Sequence, residues 1–101
     1  MRTPLAIIRE MGQRNESLLR KQLEDEGFAH TFVWLDRPEA FYPDHTHAGV
    51  TAHVILEGEM TLTMNGHAKK YRAGERCDVP SGAVHSARMG PRGCRYLVGE
   101  K

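Results

Sequence analysis

The stretch "EMTLTMNGHAKKYRA", Glu59–Ala73, decides the fold of this chain because it sets an Asn-Gly pair between two strand-like runs. Asn65-Gly66 is the strongest hairpin signal in the sequence, since both residue types tolerate the positive φ angles of a two-residue turn. The stretch therefore predicts two antiparallel strands joined by a tight turn.

Glycines recur at even intervals on either side of this hairpin. They stand at positions 49, 58, 66, 74, 82 and 90, separated by eight or nine residues. Evenly spaced turn residues between short apolar runs are typical of an all-β sandwich or barrel. No convincing helix lies between these runs, so parallel βαβ units are not expected. The pattern favours a small antiparallel barrel over residues 28–101.

One segment ahead of the strands has the pattern of a helix. In "NESLLRKQLEDEGF", leucines recur with helical spacing, and Gly27 can adopt the left-handed conformation that ends a helix. We predict one short helix over about 15–26, within an N-terminal segment 1–27. At 101 residues the whole chain is expected to form a single domain.

Composition excludes several classes of function. The formal net charge of +1 argues against a nucleic-acid-binding protein, which usually has a strongly basic balance or face. No run approaches the ~18 apolar residues of a membrane span. The apolar block near the beginning of the sequence is too short for a signal peptide. Two cysteines are too few for a disulfide framework. We therefore expect a cytoplasmic protein that binds neither nucleic acid nor membrane.

Three of the six histidines crowd into "DHTHAGVTAHVILEGE", Asp44–Glu59. His45 and His47 are two residues apart, so on a strand they would project from the same face toward one metal ion. Taken alone the pair is weak evidence, because such pairs also occur by chance on solvated strands.

A second segment, "GERCDVPSGAVH", ends in a Pro-Ser-Gly turn that redirects the chain into a strand opened by His85. Pro80 fixes its own φ angle, and Gly82 permits a backbone conformation that other residues resist. Such a turn can aim the next inward-facing residue at a chosen point.

The two segments resemble the two motifs of the cupin superfamily, and the chain is similar to its small single-domain members over about residues 36–98. The first family motif, Gly-x5-His-x-His-x3/4-Glu-x6-Gly, runs through His45, His47 and Gly58. Two of its positions differ: Glu39 stands in place of the leading glycine and Thr51 in place of the glutamate.

The second family motif, Gly-x5-Pro-x-Gly-x2-His-x3-Asn, runs through Gly74, Pro80, Gly82 and His85. Met89 stands at the position of the asparagine. Both motifs occur in the family order, and both keep the family spacing.

The resemblance implies a small jelly-roll-like barrel with a metal ion in its mouth. Carried over by position, His45, His47 and His85 would be the metal ligands. The glutamate ligand does not carry over, because the hydroxyl of Thr51 is a poor ligand for a divalent ion. A neutral three-histidine site makes manganese less favourable, whereas zinc, iron, nickel or copper suits imidazole. We expect one divalent transition metal of this kind.

His53 follows Thr51 by two residues and would face the same way on a regular strand. Three roles stay open for it: a fourth ligand, a base beside the ligands, or a core histidine bonded to a neighbour. The last two are favoured over ligation. His53 and Tyr96 are our candidates for a catalytic proton donor or acceptor, whereas His30 and His67 have no spacing argument.

Other residues that carry chemistry are better explained by structure. Cys77 and Cys94 are expected to be buried structural thiols rather than reactive ones. Glu57 and Glu59 flank Gly58 at what the sequence suggests is a turn, and a solvated hairpin explains them better than catalysis does.

The resemblance implies a metal-dependent enzyme of the dioxygenase or lyase type, with a small oxygen-bearing organic substrate. A non-enzymatic cupin that senses or stores a metal or small ligand is the alternative, supported by the missing glutamate. A homodimer is expected, both from the family and from the apolar segment "PLAII", Pro4–Ile8.

Overall fold

One helix and six strands build the described chain. The structure is a computed structural model that describes residues 4–101, with side chains described from Asn15 onward. The elements are α1 (Pro4–Asp25), β1 (His30–Asp36), β2 (Phe41–His45), β3 (Thr51–Met64), β4 (His67–Arg72), β5 (Arg76–Val79) and β6 (His85–Glu100). Within these described residues, no helix has the length and apolar character needed to cross a membrane.

The two longest strands, β3 and β6, form the central ribbon of the sheet. They pair antiparallel along most of their length, from Thr51 opposite Glu100 to Met64 opposite His85. On the far side of β6 lie β2, beside its first residues, and β1, beside its last residues. On the far side of β3 lie β5 and β4. The antiparallel pairing and the all-β architecture confirm the predicted jelly-roll-like barrel with one N-terminal helix.

Alternation along the central strands sorts side chains between two cores. One face of the sheet forms the barrel interior, in which Ile55, Met89 and Tyr96 are buried together. The opposite face of the same strands packs against the helix, where Leu97 contacts the cluster of Leu23 and Phe28. Successive residues of a strand point to opposite faces, so one long strand serves both cores.

The end of α1 agrees with the sequence prediction. Gly27 has φ of 98°, and its N–H donates to the carbonyl of Glu24 at 3.0 Å, while the N–H of Phe28 donates to the carbonyl of Leu23 at 3.0 Å. These two bonds and the burial of Leu23 with Phe28 form a Schellman motif. The motif both ends the helix and fastens it to the barrel.

The start of α1 differs from the prediction. The helix begins at Pro4 instead of near residue 15, and proline suits the first turn of a helix because the missing N–H would have no partner there. The leucine repeat that indicated the helix covers only its second half. The apolar segment Pro4–Ile8, invoked for a homodimer, lies outside the described side chains. The division of the chain into an N-terminal segment, 1–27, and a barrel, 28–101, stays a prediction.

The hairpin between β3 and β4 has the predicted geometry. Asn65 and Gly66 have φ of 54° and 77°, and Met64 pairs with His67 across the turn. The turn inferred around Gly58 was wrong, because Glu57 and Glu59 lie inside the continuous strand β3. The register shifts on both sides of Gly58, so this glycine marks an irregularity in the strand instead of its end.

Candidate metal centre

The ends of β2 and β6 bring the three predicted histidines together. His45 is the last residue of β2, and His85, the first residue of β6, pairs opposite it with ring centroids 4.1 Å apart. His47 lies two residues beyond the end of β2, and its ring is 4.9 Å from His45 and 5.1 Å from His85. One ring nitrogen of each histidine lies within 4.8 Å of the other two. His47 owes its position to a loop, not to strand alternation.

The Pro-Ser-Gly turn holds that loop in place. The N–H of Gly82 donates to the carbonyl of His47 at 2.9 Å, and the hydroxyl of Ser81 donates to the carbonyl of Ala48 at 2.6 Å. Gly82 has φ of 75°, which a residue with a side chain adopts only at a cost. The turn therefore ties the two histidine segments to each other as well as leading into β6.

Backbone carbonyls orient two of the three rings. The Nδ1 atom of His45 lies 2.7 Å from the carbonyl oxygen of Pro43, and Nδ1 of His85 lies 2.9 Å from that of Ala83. A carbonyl oxygen only accepts, so each Nδ1 carries the proton and each Nε2 keeps a free lone pair. Such a bond fixes the tautomer and ring orientation of histidines that bind metals.

The electrostatics also suit a cation held by neutral imidazoles. Partial desolvation of the exposed His47 within the histidine cluster lowers its pKa, and the neighbouring His85 and His45 lower it further, whereas the carboxylate of Glu100 opposes the change. The neutral ring is the form that binds a metal. With bonds of about 2.0–2.1 Å, nitrogens around one tetrahedral zinc would be roughly 3.4 Å apart, which small ring movements reach from the observed spacing. The three histidines therefore fit a divalent ion.

Thr51 stands where the family motif has its glutamate. It is buried at the start of β3 and lines the cavity next to the histidines. Its hydroxyl brings no charge to the site. Among the described residues, the group of three histidines is the one cluster of histidine, cysteine or acidic side chains with the spacing to hold a metal ion.

A cavity of about 500 Å³ opens in front of the histidines. Its walls are mainly aromatic and aliphatic, and Phe32, Met60 and Val98 belong to them. The volume is in the range of sites for small organic ligands, which combine apolar walls with a few polar groups. The histidines therefore line a chamber large enough for a small molecule.

His53 lies in the barrel but apart from the three-histidine group. It lines the cavity, with its ring 6.0 Å from that of Tyr96. Its Nδ1 is buried and has no hydrogen-bond partner among the described residues. Burial lowers the pKa of His53 to about 4, so the ring is neutral at pH 7. This placement supports a role other than ligation.

Acid should destabilise the protein through His53. The unfolded chain takes up a proton on this histidine near pH 6.5 and the folded chain only near its pKa of about 4. Stability is therefore full above pH 6.5 and falls as the pH drops toward 4, by roughly 3 kcal/mol from this one group. Urea unfolding of metal-free protein at neutral pH and near pH 4 measures the loss. The loss of unfolding free energy between neutral pH and pH 4 should be smaller by roughly 3 kcal/mol in His53→Gln and unchanged in His67→Gln. Equal losses in the wild type and His53→Gln would show that His53 is not the group responsible.

Tyr96 belongs to a hydrogen-bond network that the sequence did not reveal. Its hydroxyl donates to Oδ2 of the buried Asp36 at 2.7 Å, and Tyr42 donates to Oδ1 at 2.6 Å. The indole N–H of Trp34 donates to the same oxygen at 3.0 Å. Burial and the carboxylate raise the pKa of Tyr96, so its phenol stays protonated at neutral pH. The sequence shows Asp36 at the end of an aromatic strand, and nothing in that pattern links it to Tyr42 or Tyr96.

Both cysteines are buried free thiols, as the sequence indicated. Burial raises the pKa of Cys77 and raises that of Cys94 to about 12. Since the thiolate is the reactive form, native protein at pH 8 should react with Ellman's reagent on the order of 100-fold more slowly than protein unfolded in guanidinium. Two thiols per chain should react after unfolding. Rapid labelling of either thiol in native protein would contradict this prediction.

Glu57 and Glu59 lie apart from the histidines, and neither is among the described residues that line the cavity. Glu59 forms ion pairs at 3.7 Å with Lys70 and Arg72, and the exposed Glu57 lies 3.6 Å from Arg95. These pairings agree with a solvated, structural role.

A small antiparallel barrel with three histidines clustered beside its cavity defines this chain as a β-barrel domain with a candidate metal site. Comparison with known families makes the assignment specific, because the family model described as the cupin domain matches residues 32–98. This chain belongs to the cupin domain family. No curated protein matches it.

Three solved structures share this fold. The structure of DMSP lyase DddQ from Ruegeria pomeroyi DSS-3 is 29% identical and covers 70% of this chain and 36% of its own, with a TM-score of 0.65. An RmlC-like cupin from Shewanella frigidimarina NCIMB 400 is 23% identical, covers 69% of this chain and 62% of its own, and has a TM-score of 0.63. KdgF from a Halomonas species is 15% identical, covers 70% of this chain and 67% of its own, and has a TM-score of 0.59. This chain thus spans about a third of the length of DddQ.

Proposed function

We propose that this cupin is a metal-dependent enzyme that acts on a small, oxygen-bearing organic molecule. The observation that carries the proposal is the position of the three histidines on the wall of a cavity of about 500 Å³. Three protein ligands leave coordination positions open, as in catalytic metal sites. The cavity supplies the space next to those positions in which a substrate would bind.

His45, His47 and His85 would hold one divalent transition metal, namely zinc, iron, nickel or copper. When bound, such an ion supplies Lewis-acid activation of a carbonyl, enol or carboxylate oxygen. The side chains do the rest: the apolar walls exclude water and orient the carbon skeleton, and the ring of His53, neutral at pH 7, accepts or donates a proton inside the cavity.

Tyr96 is better suited to positioning than to accepting a proton. Its hydroxyl already donates to Asp36, and its raised pKa opposes loss of the proton. The network of Asp36, Tyr42 and Trp34 holds the tyrosine ring in the cavity wall. The bond to Asp36 and the raised pKa both oppose proton transfer, so Tyr96 is better placed as part of the binding surface than as a proton donor or acceptor.

Of the two reaction types, a lyase is the first to test, because DddQ is named a DMSP lyase and is 29% identical over the matched region. Protein loaded separately with each metal would be incubated with DMSP and with a panel of small carboxylic acids. Product formation would be followed by NMR, and oxygen uptake would be measured with an electrode. Product without oxygen uptake indicates a lyase, and product with uptake indicates a dioxygenase. His85→Ala should be inactive and His67→Ala fully active.

A binding or sensing cupin is the second candidate, and Thr51 in place of an acidic ligand supports it. In that case calorimetry would detect binding of a metal or small acid while no metal-loaded form yields product. Turnover of any compound that depends on His85 would exclude this candidate.

A homodimer also belongs to the proposal. The strand β1, at one end of the sheet order, exposes the large apolar side chains of Trp34 and Leu35, and an exposed edge is a natural site for pairing. Light scattering coupled to size exclusion should give twice the mass of the 11.4 kDa chain. A monomer at micromolar concentration would contradict it. A cytoplasmic location stays a prediction.

A further inference from the structure

The structure shows where the glutamate of the family motif would lie in this chain. Thr51 occupies that position, buried at the start of β3 and facing the cavity beside the histidines. A divalent ion there would meet three neutral imidazoles and no negative protein ligand. An acidic side chain from a neighbouring strand would restore the charge balance if it faced the same way.

The register of β3 and β6 brings such a side chain to this place. Thr51 lies directly opposite Glu100, and directly opposed residues project from the same face of a sheet with Cβ atoms about 4.5–5.5 Å apart. The next pair on this face, His53 opposite Val98, also lines the cavity. Glu100 therefore belongs to the inner face of β6.

The surroundings of Glu100 agree with this geometry. It is exposed at the rim of the barrel and is one of the residues lining the cavity. Among the described lining residues, Asp44 is the other acidic one. Asp44 lies on β2 between Tyr42 and His45, where the register against β6 shifts, and it is not opposite Thr51, so it serves as the acidic control for Glu100.

We infer that Glu100 becomes the carboxylate ligand of this site when a metal binds. Its side chain lies outside the cluster of three histidines and would turn toward the ion, so that β6 supplies the acidic group that β3 lacks at Thr51. The inference rests on the proposed metal site and extends it. It changes the expected metal preference, because a site of three imidazoles and one carboxylate accommodates iron(II) and manganese better than a site of imidazoles alone.

Metal affinity of the full chain, measured by competition with a chromophoric chelator, tests the inference directly. Glu100→Gln should weaken binding of manganese and iron(II) by at least about tenfold and binding of zinc by less. The matched control Asp44→Asn should bind all three ions as the wild type does. Adding Thr51→Glu to Glu100→Gln should restore the affinity, because the carboxylate then returns to the same face of the neighbouring strand.

A second measurement reports coordination without reference to activity. The visible spectrum of the cobalt(II)-substituted protein should change in Glu100→Gln and remain unchanged in Asp44→Asn. If the wild type binds metal and Glu100→Gln matches it in both affinity and spectrum, Glu100 is not a ligand, and the three-histidine site stands alone. If the wild type binds none of these ions, both this inference and the proposed function are overturned.

Discussion

Replacing His85 with alanine is expected to abolish metal binding. His85 is 2% exposed, opens β6 opposite His45, and is oriented by the carbonyl of Ala83. Wild-type protein purified without chelator should carry about one equivalent of a transition metal by elemental analysis. The affinity of His85→Ala should fall on the order of 100-fold or more, since removing even a supporting partner of a ligand costs about 10- to 100-fold.

Two further variants separate loss of metal from loss of fold. His85→Ala also leaves a cavity at a buried position and should lower the melting temperature of the metal-free protein. His47→Ala removes an exposed side chain, so it should lose the metal while keeping the metal-free melting temperature within a few degrees. His67→Ala, at the exposed first residue of β4, should keep the metal. Full occupancy in both His47→Ala and His85→Ala would refute the three-histidine site.

Much of this architecture was predictable because its signals are local. Asn65-Gly66 forms its turn with positive φ angles that few other residue pairs allow. Gly27 ends the helix for the same reason. The His45, His47 and His85 cluster was predictable from two motifs whose internal spacing is preserved. In each case, a short run of sequence fixes the backbone without knowledge of its neighbours.

The remaining features depend on which strands are neighbours, which no local pattern shows. Asp36 accepts hydrogen bonds from Tyr42 and Tyr96. Tyr96 is sixty positions away from Asp36 in the sequence. Glu100 comes to lie opposite Thr51 from the other end of the barrel sequence through the register of β3 and β6. The network and the register both require the assembled sheet.

Replacing Gly58, which lies inside β3 and not at a turn, is expected to have the largest effect on stability. Gly58 has φ of 79°, and a Cβ atom there would overlap the carbonyl oxygen of Gly93 on the neighbouring strand and lie 3.1 Å from Cα of Cys94. The left-handed conformation costs a residue with a side chain about 1–2 kcal/mol. Crowding against backbone that cannot rotate away adds about 1–3 kcal/mol. Gly58→Ala should therefore lose roughly 4 kcal/mol of unfolding free energy, measured by urea denaturation.

Gly74→Ala is the matched control for this effect. Gly74 has φ of 90°, but a Cβ atom there would meet nothing within 4 Å. It should therefore lose only the conformational cost, about 1–2 kcal/mol, and the difference between the two variants measures the crowding between β3 and β6 alone. Equal losses would show that Gly58 is needed for its φ angle only. A difference of several kcal/mol would show that the close approach of Gly58 to Gly93 sets the packing of the central ribbon, and with it the register that places Glu100 opposite Thr51.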